Sequence, residues 1–172
     1  MTQAEVARIA GITLKHPLMY FMREVCLPGN YRFRVIVAGA TVELFLTMLV
    51  RHHSKKLGGD VKKLVKSSFA TKIRILHKAG ILSDNRATLL NHFRNLRNDA
   101  AHEAKFKITK ATIAKFPVTL VKPENLPEHI IVSHICTEMA FELWNEHHAV
   151  LASYFFTKQE RNELKDKIKA QK

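Results

Sequence analysis

Two cysteines in 172 residues, Cys26 and Cys136, are too few for a disulfide framework, and neither lies in a CxxC pair. That excludes a disulfide-stapled secreted module and a cysteine-based zinc site, and it points to a reducing compartment. Six glycines and five prolines exclude a collagen-like or low-complexity chain. No glycine pattern of a P-loop or dinucleotide-binding turn is present, nor a serine-nucleophile elbow. Aromatic residues make up 8% of the chain and form no base-stacking motif. Carboxylates are scarce as well: 15 Asp and Glu face 28 Lys and Arg, a formal charge of +13 that favours a polyanionic partner, nucleic acid first. Long apolar runs are also missing. The opening MTQAEVARIAG carries a glutamate before any apolar run, unlike a secretory leader. The most apolar stretch, Val35 to Val50, is interrupted by Glu43 and ends at Arg51-His52-His53, so a buried helix of a cytoplasmic protein is expected, with no membrane partner.

What remains is a chain with 47% apolar residues, long enough for one domain that buries ~70% of its unfolded surface. The periodicity is helical throughout, so the expected fold is an all-α, up-and-down bundle of about four to five main helices. Pro17 and Pro28-Gly29 bracket a first helix at His16–Leu27. Asn30 caps a long central helix reaching about Ser54. The KKLGGDVKKLVK stretch, with Lys55, Lys56, Lys62, Lys63 and Lys66 around a glycine pair, reads as an exposed basic connection. Phe69, Ile73 and Leu76 set a helix that Gly80 stops, and Ser83 or Asp84 caps the next, with Leu89, Phe93, Leu96 and Ala100 on its apolar side. Residues 104–128 read as a connecting excursion with one short helical turn near Ala111–Phe116, followed by a helix over Glu128–Phe156. Residues 1–156 thus form a single helical domain with its core from about residue 30, and 157–172 a charged tail.

The chemistry concentrates at Arg97-Asn98-Asp99-Ala100-Ala101-His102. At ~100° per residue Arg97 falls only ~40° from Phe93, an odd position for a cation, and Asn98 stands one turn before His102. Arg97 and His102 are ~140° apart on an ideal helix, so they converge through a wrapped arginine, a loosened helix after Asn98, or a second subunit. Glu43, alone in an apolar helix, needs a partner, and Arg97 is the candidate.

This R-x4-H arrangement, with a polar residue directly after the arginine, resembles the motif of the HEPN superfamily. AGATVELFLTMLV and KIRILHKAGILSDN before it resemble the order of elements in HEPN-like families, including mannitol-operon-repressor-like proteins, so the likeness covers about Arg32 to Glu103. The resemblance implies a helical homodimer and a metal-independent ribonuclease of a toxin–antitoxin or defence system, with a cognate antitoxin or defence protein as partner and no cofactor. It assigns His102 to proton transfer, Arg97 to the scissile phosphate, Asn98 to orientation, and leaves Glu43 in support. A noncatalytic nucleic-acid-binding or regulatory role is the alternative. Ala104 stands where HEPN toxins paired with nucleotidyltransferase antitoxins often carry tyrosine, which argues against that inactivation route.

Lys55, Lys56, Lys62, Lys63 and Arg94 are the candidate RNA-phosphate contacts. His134 with Glu138, and Glu146 with His147 and His148, are better read as packing or surface groups than as metal ligands. AEVARIAGIT resembles the first part of a helix-turn-helix, but Pro17 interrupts the place of a recognition helix.

Overall fold

The structure, a computed structural model, describes residues 30–103, 105–116 and 126–170. The expected helix at His16–Leu27, the helix-turn-helix-like stretch, Cys26 and Ala104 lie outside the described residues. Among the described residues every regular element is a helix: α1 Tyr31–His52, α2 Ser54–Leu57, α3 Val61–Val65, α4 Phe69–Lys78, α5 Asp84–His102, α6 Lys110–Ile113, α7 Glu128–Glu146, α8 His148–Phe155 and α9 Lys158–Ala170.

The central helix is α1. Asn30 caps it, its side-chain oxygen accepting from the Arg32 N–H at 2.9 Å. Val35, Ala38, Val42, Phe45, Leu46 and Leu49 on its inner face are inaccessible to solvent, each large side chain contributing about 1.5–3 kcal/mol. By length and composition α1 could cross a membrane, because the helix extends to 22 residues where the apolar stretch alone suggests 16; half of its most apolar window is buried against α4, α5, α7 and α8. Its direction is shared by α7: Arg34 bonds Ser133 near the start of both helices, and Phe45 meets Trp144 further along, ring centroids 5.6 Å apart.

α4 and α5 form a helical hairpin with two local signals at its turn. Gly80, at φ +66°, lets the Ile81 N–H reach the Leu76 carbonyl and its own N–H the His77 carbonyl, closing α4 in a Schellman turn. Ser83 then caps α5 through the Arg86 N–H. The stretch expected as a basic connection contains the short helices α2 and α3 on either side of Gly58-Gly59, because Asp60 caps α3 at the Lys62 N–H. The expected single helix over 128–156 breaks at His147, where polar Asn145, Glu146, His147 and His148 interrupt the apolar seam. The break returns Phe155 onto Trp144 and brings the Tyr154 hydroxyl to the Met48 carbonyl. The charged tail begins with a capping box, Thr157 and Glu160 exchanging side-chain-to-backbone bonds.

Where α1 ends, His52 and His53 pack ring edge to ring face, and His53 lies within electrostatic reach of His147 at the α7–α8 break. Burial first, then His52, His147 and Lys56, push the His53 pKa below its ordinary 6.5. Burial, with Arg86 against the opposing Glu146, does the same to His147, whose Nε2 has no hydrogen-bond partner among the described residues. The unfolded chain therefore binds more protons than the folded one below about pH 6.5, so this part of the stability is full above 6.5 and is lost as pH falls through the depressed folded values. Thermal melts should show Tm falling from pH 7 to pH 5, with a shallower fall in a His53→Gln/His147→Gln variant.

Candidate active site

One edge of α1 faces α5. Arg32, Ile36, Gly39 and Glu43 follow i, i+4, i+7, i+11 and make a seam along it. Gly39 provides the room: a Cβ built there would lie 2.5 Å from Arg97 Cγ. Through this gap Arg97 reaches Glu43, Nη2 to Oε2 at 3.4 Å, while its Nη1 donates to Asn98 Oδ1 at 3.1 Å. The other carboxylate oxygen of Glu43 accepts from Lys72 Nζ at 3.0 Å. Two cations thus share one carboxylate. Lys72 is 7% exposed, Glu43 27% and Arg97 30%, so the surplus positive charge reaches solvent mainly through Arg97.

The expected Glu43–Arg97 pair is therefore present, and Asn98 sits against Arg97. His102 does not join them. α5 remains helical through His102 rather than loosening after Asn98, and the Arg97 side chain turns toward Glu43. His102 is exposed and makes no hydrogen bond or ion pair among the described residues. The end of α5 that presents it is clamped by Arg32, whose Nε donates to the Ala100 carbonyl at 2.5 Å and Nη2 to that of Ala101 at 3.3 Å. Arg94 bonds neighbouring Asn95 at 2.8 Å. Lys55 and Lys56 follow the far end of α1, a helix about 33 Å long that starts beside Arg32, and exposed Lys62 and Lys63 sit on α3.

Lys72, Gly39 and Arg32 escape the sequence reading. Lys72 had a signal: with Phe69, Ile73 and Leu76 it occupies the buried stripe of α4, so it had to meet a carboxylate. Gly39 stands one turn before Glu43 on the same face, as a close approach requires. The seat also makes a prediction. Gly39→Val drives a branched side chain into Arg97 and should cost about 1–3 kcal/mol, read as a lower urea midpoint at unchanged slope.

A second charged cluster joins the first turn of α5 to the C-terminal part of α7. Arg86, with its side chain 7% exposed, donates from Nε and Nη2 to Glu146 and from Nη2 to Glu142 at 2.6 Å. Burial opposes its charge, but the two carboxylates outweigh that and hold the guanidinium pKa above its ordinary value. His134 and Glu138 lie one turn apart on α7 with Nε2 and Oε1 3.0 Å apart, so two of the glutamates once weighed as metal ligands face cations or a ring nitrogen. Cys136 is a buried thiol whose pKa burial pushes up to about 12, which leaves it unreactive.

A family model described as a domain of unknown function (DUF4145) matches residues 30–118, just over half of the chain. The chain belongs to the DUF4145 family. No curated protein and no solved structure matches it. The DUF4145 segment begins at the Asn30 cap and contains Gly39, Glu43, Lys72, Arg97 and His102. It excludes α7, the helix that supplies the partners of Arg86.

Proposed function

We propose that this DUF4145 protein is a HEPN-type, metal-independent endoribonuclease of a toxin–antitoxin or defence system, acting in the cytoplasm. One observation carries the reading: the Glu43 cluster holds two cations for one carboxylate, fixing a partly exposed Arg97 about 7.5 Å of helix rise from His102, which is exposed and unpaired among the described residues. A forked, permanently charged guanidinium so placed suits the charge that develops on a phosphate, and a neutral imidazole suits proton removal from a 2′-hydroxyl. In the proposed step His102 takes the 2′-hydroxyl proton, the 2′-oxygen attacks phosphorus, and the bond to the 5′-oxygen breaks as that oxygen gains a proton. A 2′,3′-cyclic phosphate and a 5′-hydroxyl result. Asn98 keeps the Arg97 fork oriented.

Because Arg97 and His102 diverge within one chain, the reading includes a homodimer whose second copy completes the site. Phe33, Val37, Ala40 and Leu44 form an outward apolar stripe at i, i+4, i+7, i+11 on α1, with Phe33 55% exposed, and the stripe starts beside the Arg32 clamp. A copy seated there lies next to His102. An antitoxin or defence-system protein is the further partner of this reading. A noncatalytic regulator is favoured by one observation, the commitment of Arg97 to its own chain. Incubating the purified protein with mixed RNA in EDTA decides between them: cyclic-phosphate-ended fragments support the nuclease, and intact RNA at micromolar protein favours the regulator. Full activity from a monomer in light scattering overturns the composite site.

A further inference from the structure

Beyond His102, residues 103 and 105–109 lie outside any helix, and over 105–108 burial alternates: Phe106 and Ile108 are buried, Lys105 and Lys107 exposed. Glu103 and Thr109, at either end, have extended backbone. The strap is tied to the first turn of α1, because the Tyr31 hydroxyl donates to the Phe106 carbonyl at 3.2 Å and the two rings lie 5.8 Å apart. Arg32, the next residue, clamps the end of α5. A one-residue slip of the strap would bury a lysine and expose Phe106, so the lysines are held facing outward. Neither has an ion pair or hydrogen bond among the described residues, and Lys110 just beyond is exposed too. Lys55 and Lys56, by contrast, stand at the opposite end of α1.

We infer that the 105–109 strap is the track on which the phosphate backbone of single-stranded RNA reaches His102, with Lys105 and Lys107 as its contacting cations. The inference rests on the ribonuclease reading and names how that site holds its substrate. A narrow strap with two ammonium groups matches one flexible strand, whereas duplex RNA is recognised across successive grooves by a much broader surface.

The test is a salt series of anisotropy titrations with a labelled 2′-O-methyl oligouridine, which lacks the attacking hydroxyl and stays intact. For single strands each lost phosphate contact lowers the slope of log K against log salt by ~0.7, so K105Q/K107Q should reduce it by about 1.4 and weaken binding about 25-fold at 0.1 M salt. K55Q/K56Q should change both much less. Thermal melts of K105Q/K107Q should match the wild type, both side chains being exposed and unpaired among the described residues. An unchanged slope in K105Q/K107Q, or a larger loss in K55Q/K56Q, overturns the strap; if the wild type still cleaves RNA, the ribonuclease reading survives. A wild type that neither binds nor cleaves RNA overturns both.

Discussion

On the ribonuclease proposal, replacing His102 with alanine should lower metal-free RNA cleavage by about 10²–10⁴-fold while RNA affinity stays within about twofold. The split follows from where the residue stands. His102 is exposed at the last turn of α5, with no bond to the rest of the described chain, so its removal disturbs neither the Glu43 cluster nor the strap. Stability should change by less than about 0.5 kcal/mol, as for ordinary surface substitutions. On that proposal only proton transfer should be lost. Single-turnover cleavage of a labelled RNA at saturating protein, beside anisotropy binding, separates the two quantities. Normal cleavage by His102→Ala would end the catalytic assignment and leave the fold untouched.

The largest stability effect is expected at the other end of α5. Glu142→Ala/Glu146→Ala leaves the Arg86 guanidinium, 7% exposed, without a carboxylate in a place water hardly reaches, and should cost about 3 kcal/mol or more in urea unfolding. Arg86→Met should cost less. Its two glutamates, 57% and 40% exposed, can turn into solvent, and methionine fills part of the vacated space. The order of the two variants is the informative result: a worse Arg86→Met would mean that Arg86 acts through packing rather than charge.

Local signals in the sequence marked out much of this fold. Asn30, Gly80 and Ser83 act within a few residues of themselves, so the start of α1, the end of α4 and the start of α5 were legible before any packing was known. The Thr157–Glu160 box was equally local, and was hidden by the charge alternation around it. The Glu43–Arg97 pair was legible for another reason: each is a charge on an apolar helix side, and such charges must find one another. Arg86 with Glu142 and Glu146 was not. Glu142 and Glu146 stand one turn apart and so share a face of α7, but their partner lies about 60 residues away and depends on how α5 crosses α7. The same holds for Arg32, whose target is the backbone of another helix rather than a side chain that a pattern could reveal.

The Arg32 clamp changes the electrical character of the place where His102 stands. A helix gathers roughly half a negative charge at its C-terminus, on carbonyl oxygens that no further turn can satisfy. Left bare, the last turn of α5 would repel an approaching anion. Arg32 covers the Ala100 and Ala101 oxygens with a guanidinium drawn from the first turn of α1, where a cation opposes the positive end of that second helix dipole. The guanidinium is thus opposed by one helix pole and held by the other, and an anion that comes to His102 meets delocalised positive charge in place of exposed carbonyls.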